Sequence, residues 1–535
     1  SPWTAAALAI ASLLAVPIVT VLSSLLTPAG EVWAHLWRTQ LPELIGNTVL
    51  LLLAVGAGTL VVGTGLAWLV VSYRFPGAGI IEGALILPLA IPAYVVGFAF
   101  LGMLEFSGPV QTALRAWLGD WVRLPELRSF GGVALMMTLV FYPYVYLLAR
   151  AAFREQGTAT LETARSLGRS RLRAFLEVTL PMARPSLAAG VSLAMMEALA
   201  DFGTVATFGY RTLTEAIYRV WYGMFDRQAA TQLASILLLF ALTLLVIERA
   251  SRGRARFTQA QQRGETIPVT LTGWRAGAAT AVCLAVLGLA FLLPVGQLAL
   301  WATRTIAAGQ VAPTFGRLLA TTLWLAGAAS IAAGLLAVVL AYAGRLEPSR
   351  TIRFAARFAS MGYALPGAVI AAGVLLPLAW LDHAVAPLVD RLAGHPTGLL
   401  LTGSAAGLLF AYLVRFLAVS LQTVEASLGK IPPSFDDAAR SLGAAAAATL
   451  RRIHLPLMRG GLLTALILVF VETMKEMPAT LLLRPFGLNT LAIEVWERTS
   501  EAMWQEAAVP ALAIVVAGLV PVLLTLRLSG RRRGS

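Results

Sequence analysis

The sequence predicts an all-α integral membrane protein of twelve transmembrane helices, built as two fused six-helix halves. Three observations lead there: the composition, the recurrence of apolar stretches of spanning length, and an internal repeat. Of 535 residues, 58% are apolar and 13% charged, with a mean hydropathy of +0.78, whereas an ordinary soluble chain is about a quarter charged. So few polar residues could not cover a soluble fold. Disorder, a coiled coil and an ordinary cytosolic enzyme are excluded.

The apolar stretches lie at 5–26, 47–71, 80–104, 131–153, 184–206 and 229–247, then at 274–301, 317–343, 357–381, 399–422, 459–483 and 506–528. Each reaches the roughly 20 helical residues that a bilayer core demands. Residues 1–26 lack the basic n-region of a signal peptide and an initiator Met, so they read as a first span whose true start is left open.

Charge gives the orientation. The net charge is +14, and with the N-terminus inside, the segments on that side carry 27 Lys and Arg against 12 in the opposite loops. Basic residues collect on the cytoplasmic side of membrane proteins, so both termini are expected in the cytoplasm. No basic stripe with interleaved stacking aromatics is present, so nucleic acid is not an expected partner. Trp117, Trp121, Trp221, Trp496 and Trp504 in the outer loops suit a membrane interface. The single Cys283 sits in an apolar run and offers no disulfide framework or thiolate metal site.

A basic, polar linker at 248–272 separates the first half, 1–247, from the second, 273–535. LETARSLG at 161–168 returns as DDAARSLG at 436–443, and Thr48 and Pro92 have counterparts in Thr322 and Pro366 at nearly the same offset. Both copies lie on one side of the membrane, so the repeat is parallel, about the membrane normal. The motif extends further. Glu162, Thr163, Ala164, Gly168, Val178, Leu180 and Pro181 in the loop at 154–183 match Asp437, Ala438, Ala439, Gly443, Ile453, Leu455 and Pro456 in the loop at 423–458. This pattern reads as a helix, a glycine break and a second short helix. Asp437 falls in a first turn, where a carboxylate suits the helix dipole and Ser434 can cap. Small alanines permit close approach of another protein. The glycines stop the first helix, and Pro181 and Pro456 end the second before the next span.

The twice-kept spacing resembles the EAA loop of binding-protein-dependent ABC importer permeases of type I, the MetI-like class. The stretches MEALADFGTVATFG at 196–209 and VETMKEMPATLLLRPFGLNTLA at 471–492 resemble the ferric iron permeases, with related branches carrying thiamine, polyamines, phosphonates or sulfate. Thr163, Val178 and Asp437 depart from the family pattern. The resemblance implies a transport subunit rather than an enzyme, in a bacterial plasma membrane, with lipid around it. It implies two ATPase subunits docked on the two loops, one permease chain per complex, and a periplasmic or extracytoplasmic binding protein that delivers substrate. No P-loop occurs in the chain, so ATP and Mg are expected on the partner subunits.

Charges within the spans form the second candidate site. Glu197 and Asp201 lie in the fifth stretch, and Glu472, Lys475 and Glu476 in the eleventh. Glu472 and Glu476 stand 275 residues after Glu197 and Asp201. On a continuous helix the i, i+4 spacing puts both carboxylates of each pair on one face. A mid-membrane charge costs about 2.5–3.5 kcal/mol on insertion scales, so these groups should face a polar path or a paired neighbour. Both readings stay open: a lining of the translocation pathway, or a clamp in which Lys475 neutralises Glu472 or Glu476. Under the first, Glu197, Asp201, Glu472 and Glu476 could offer hard oxygen ligands to ferric ion. A proton-coupled secondary transporter using the same carboxylates is the reading from another class, and the duplicated loop argues against it.

Other residues carry less. Tyr142, Tyr144 and Tyr146 read as packing. Asp382, His383, Asp390 and His395 read as a solvated outer loop, and Arg415 as a residue that snorkels or pairs at a span end.

Overall fold

The computed structural model describes residues 2–27, 31–156, 166, 168–255, 268–395 and 400–531. These residues are almost wholly helical. The only extended pairing among them joins Tyr73 and Arg74 to Val269 and Thr270 in a two-stranded parallel ladder.

Ten helices among the described residues are long and apolar enough to cross a membrane, and an eleventh crossing is made if the bent pair Ala446–Leu457 and Arg459–Lys475 is one span. By this measure the count comes close to the expected twelve without reaching it. The exception in the first half is the predicted stretch 184–206. Its helix, Leu180–Ala200, has Pro181 as its second residue, holds Pro185, and ends before Asp201. In the second half the matching segment bends by 79° at Met458. Polar residues and prolines, which the functional segments retain, dilute the apolar signal here.

Contacts divide the chain into two compact units that do not follow the sequence halves. One consists of 1–34, 217–238 and 312–494; the other of 35–216, 239–311 and 495–535. The first unit has at its centre Phe315–Leu346, Ala405–Leu428 and Arg459–Lys475, packed on one another. The second has Leu41–Ser72, Phe130–Glu155 and Leu180–Ala200, the repeat-related trio.

In lipid, helices associate by close packing rather than by a hydrophobic drive, which favours small residues at contacts. A Cβ on Gly63 would come within 2.8 Å of Val145 Cβ and 2.9 Å of the Tyr142 carbonyl oxygen. One on Gly190 would lie 2.8 Å from Val145 Cα, and one on Gly461 would strike the Ser427 side chain at 2.3 Å.

The helix Pro2–Ser23 packs in its unit against Gly367–Ala393 and Arg350–Ala359, and Leu293–Ala307 packs in the other against Trp504–Arg531. The first of these contacts is close enough that a side chain at Gly373 would meet the Pro17 carbonyl at 2.3 Å. Neither pairing is visible as sequence proximity.

The repeat-related threonines share one role. Thr48 accepts from the Leu213 amide at 3.0 Å, and Thr322 accepts from the Leu491 amide at 2.9 Å. Each hydroxyl donates in turn to a carbonyl one turn back in its own helix, that of Leu44 or Leu318. Tyr142 and Tyr146 are fully buried, and their hydroxyls donate to the carbonyls of Leu85 and Glu82 at 2.9 and 2.8 Å.

Candidate functional site

The repeated loop is seen in full in the second half. Residues Ser434–Ser441 form a short helix with Asp436 and Asp437 in its first turn. Pro433, not Ser434, occupies the cap position, and no side chain caps the end. Gly443 then takes the left-handed conformation (φ 74°) that ends the helix, a backbone state open to glycine at little cost. A second helical segment follows, Ala446–Thr449 running into a π turn at Leu450–His454. Ile453 and Leu455 are half-buried on that segment, while Pro456 is exposed.

Asp437, the acidic residue of the motif, is exposed and pairs only locally with Arg440. Ala438 is exposed, and Ala439 is buried. Leu442, beside the glycine, is 87% exposed.

In the first half, Glu162, Thr163 and Ala164 lie outside the described residues. Gly168 is left-handed as well (φ 83°). Ser170 caps the next helix by accepting from the Arg173 amide at 3.3 Å. Here Pro181 does not end a helix, as its position suggested. Val178 lies in a π turn at Phe175–Thr179, and the helix passes from that turn through Leu180 and Pro181 to Ala200. The wider turn absorbs the hydrogen bond that proline cannot make.

Three residues absent from the sequence reading hold the second loop. Arg345, in the last turn of Phe315–Leu346, donates from Nε and Nη2 to Asp436 Oδ2 at 2.8 and 2.6 Å. Its Nη1 reaches the Leu428 carbonyl at 2.8 Å and Nη2 the Ile431 carbonyl at 2.9 Å. The other carboxylate oxygen, Asp436 Oδ1, lies 2.8 Å from Nε2 of the fully buried His454. Tyr342, one turn before Arg345, donates to the Ala446 carbonyl at 2.8 Å. One guanidinium thus ties the first turn of the loop helix, and the residues leading into it, to the end of a membrane span. Burial pushes the Asp436 carboxyl up, but the hydrogen bonds from Arg345 and His454 outweigh it and hold the group below its ordinary range. The first half is anchored with reversed polarity: the buried Glu82 carboxylate takes Arg150 at 3.2 Å and also Arg154, both near the end of the helix that leads into that loop.

The intramembrane carboxylates correct a second expectation. Neither pair shares one face of a continuous helix, because the helices end at Ala200 and Lys475. Asp201 and Glu476 are extended residues at the breaks. Each then caps the short helix that follows: Asp201 Oδ1 accepts from the Thr204 amide at 2.7 Å, and Glu476 Oε1 from the Ala479 amide at 2.8 Å. A carboxylate satisfies the orphan amides of a helix start.

The counter-charges include one of the two pairings that the clamp reading offered, Lys475 with Glu472. Lys475 pairs with Glu472 at 2.8 Å, while Glu476 pairs with Arg415 at 2.9 Å, with only 13% and 3% of the two side chains exposed. Gly367 makes room for this pair, since a Cβ there would lie 2.5 Å from Arg415 Nη1 and 2.7 Å from Glu476 Oε1. Tyr412, on Ala405–Leu428, shares a hydrogen bond of 2.7 Å with Thr480 of the short helix Pro478–Leu483, and Tyr218 donates to the Pro478 carbonyl. In the first half Val140 stands where the second has Arg415, counting from the capping Ser129 and Ser404. Glu197 is half-buried.

Asp382 is not in a loop. The helix runs on to Ala393, and the buried Asp382 carboxylate accepts from the amides of Leu400, Leu401 and Thr402 at 3.1, 2.8 and 2.6 Å. His383 and Asp390 belong to the same helix, and His395 follows it, exposed. Among the described residues no group of three or more His, Cys, Asp or Glu side chains is placed to hold a metal ion.

Comparison with known proteins gives this geometry its context. The chain is 28% identical over 496 residues to the Fe(3+)-transport system permease protein FbpB 2 of Haemophilus influenzae, covering 91% of this chain and 90% of that one. It is 28% identical over 225 residues to the sulfate transport system permease protein CysT of Escherichia coli, covering 40% of this chain and 78% of that one. It is 30% identical over 199 residues to the molybdenum transport system permease protein ModB of Escherichia coli, covering 35% and 85%. The family of binding-protein-dependent transport system inner membrane components matches at residues 59–256 and again at 333–533. The chain therefore belongs to the inner membrane component family of binding-protein-dependent transport systems, and it carries the family's domain twice.

Proposed function

We propose that this chain is the membrane permease of an ATP-driven importer of ferric iron. The observation that supports the cargo is the likeness to a ferric permease that carries both halves in one chain, the sulfate and molybdenum permeases being shorter chains matched over 78% and 85% of their own length. Similarity to the Haemophilus ferric permease runs through both halves, whereas similarity to the sulfate and molybdenum permeases spans 40% and 35% of the chain.

In this reading an extracytoplasmic binding protein delivers the cargo and both termini are cytoplasmic. Two ATPase subunits, which bind ATP and Mg, dock on the loops around Glu162–Gly168 and Asp437–Gly443. One permease chain suffices, since it holds both halves. Leu442 and the exposed flank of Ser434–Ser441 form the docking face, and Arg345 holds that face to the span behind it. The half-buried Glu197 and Glu472 line the polar path, while Asp201 and Glu476 fix the breaks beside it.

The test is cargo-specific stimulation. The permease is reconstituted with its ATPase and binding protein, and ATP hydrolysis is followed with the binding protein loaded with Fe(III), sulfate or molybdate. Stimulation by Fe(III) alone is expected. Stimulation by an oxyanion and not by iron would reassign the cargo.

A further inference from the structure

The helix Arg350–Ala359 joins two spans, Phe315–Leu346 before it and Gly367–Ala393 after it. Three residues separate it from the first span, and Ser349 caps it by accepting from the Ile352 amide at 3.2 Å. A ten-residue helix so tethered at both ends stays at the boundary of the bilayer. It lies at the same end of the molecule as the second loop, because Arg345, five residues earlier, is bonded to Asp436.

Its side chains fall into three sectors. At about 100° per residue, Ile352, Ala355 and Ala359 point one way, and they are the buried residues, packed toward Pro2–Ser23 and the end of Phe315–Leu346. Phe354 and Phe358 lie together on a second sector, with ring centroids 6.2 Å apart and Phe354 69% exposed. Arg350, Arg353 and Arg357 share the third sector, and all three are exposed. None of the three guanidinium groups is engaged in an ion pair among the described residues. The corresponding stretch of the first half, Ala78–Ala84, holds no basic residue.

We propose that Arg350–Ala359 is an interfacial helix that binds anionic phospholipid headgroups. The phenyl rings enter the acyl boundary and the three arginines take the phosphodiester oxygens beside it. An apolar sector next to a basic one, parallel to the surface, is the arrangement that holds a helix in the headgroup layer. Arginine presents a planar fork to phosphate oxygens. The site is on one half only, so lipid acts on the span that carries Arg345 and through it on the second loop.

The test uses the full chain, purified and delipidated, with native mass spectrometry during titration by phosphatidylglycerol or phosphatidylcholine. The wild type should prefer phosphatidylglycerol. Arg350→Gln, Arg353→Gln and Arg357→Gln together should reduce that preference at least about tenfold, given the attraction of each basic side chain to an anionic surface. The triple lysine variant should keep most of it. A glutamine variant with wild-type melting and unchanged preference would overturn the proposal. So would competition by millimolar inorganic phosphate as effective as by lipid, which would mark a free anion site. A variant that retains lipid but loses the ATPase subunit would overturn it in favour of a protein contact.

Should the triple variant fail to fold, a nitroxide at Phe354→Cys in a Cys283→Ser background reads depth directly, since Cys283 is the one cysteine. Relaxation by oxygen over a water-soluble nickel chelate is expected. The reverse order would place the ring in water and sink the proposal.

Discussion

Arg345 and Asp436, 91 residues apart, are joined by two guanidinium–carboxylate bonds of 2.8 and 2.6 Å. The same guanidinium also takes the carbonyls of Leu428 and Ile431. Arg345→Ala removes all of these at once and leaves Asp436 half-buried beside His454. A loss of about 3 kcal/mol is expected, at the lower end for breaking a buried pair. The unfolding midpoint should fall, and amide exchange should rise first over 434–441. Arg345→Lys should be intermediate, because lysine keeps the charge but not the fork.

The same pair sets an acid limit. The Asp436 carboxyl is held below its ordinary range in the folded protein, so the unfolded state takes up its proton first as pH falls. The stabilisation is fully present above the unfolded value of about 3.9 and is lost as pH drops through the lower folded value. Exchange protection of the loop helix should therefore hold from neutral pH to about 4 and fail below it. In Asp436→Asn that acid step should be gone, with the protection already reduced at neutral pH. An unchanged acid step in Asp436→Asn would assign it to another group.

Glu476 and Asp201 cap matching helices but stand in different surroundings. Glu476→Gln leaves the Arg415 guanidinium without its counter-ion and should cost about 3–5 kcal/mol. Asp201→Asn keeps an accepting oxygen for the Thr204 amide and should cost under about 1 kcal/mol. Melting temperatures of the two variants decide between this and equal roles. Replacing both members of the pair, Glu476→Gln with Arg415→Met, should recover part of the loss, since it is the stranded charge that destabilises.

Pathway lining by Glu197 and Glu472 has its own signature. The double change to Gln should slow cargo uptake into proteoliposomes while ATPase subunits still co-purify. Glu472→Gln alone should also lower the melting temperature, because Lys475 loses its partner at 2.8 Å. Wild-type uptake by the double variant would remove both residues from the path.

The architecture was legible because it is written in periods longer than any local accident. Most of the apolar stretches of spanning length, the left-handed glycines Gly168 and Gly443 of the two loops, and the paired positions of Thr48 with Thr322 are found among the described residues. The breaks at Asp201 and Glu476 were not legible. Spacing of i, i+4 is read as helix when the flanks are apolar, and nothing local announces that each carboxylate will cap a new helix instead. Arg345 and His454 were missed for another reason. Their partner, Asp436, is 91 residues from Arg345 and 18 from His454, and sits next to Asp437, which carries the motif but is exposed. Asp382 was read as solvated because its helix continues beyond the apolar stretch that seemed to define it.

One chain that presents two docking loops should seat two ATPase subunits, one on each. Native mass spectrometry of the assembled importer tests it most directly, with Leu442→Asp as the probe. Leu442 is 87% exposed, so the change spares the fold and removes apolar contact from the second loop only. The wild type should appear as one 56.7 kDa permease chain with two ATPase subunits, and Leu442→Asp chiefly as one chain with one. Two permease chains in the smallest active assembly, or two ATPase subunits held as firmly by Leu442→Asp as by the wild type, would contradict it.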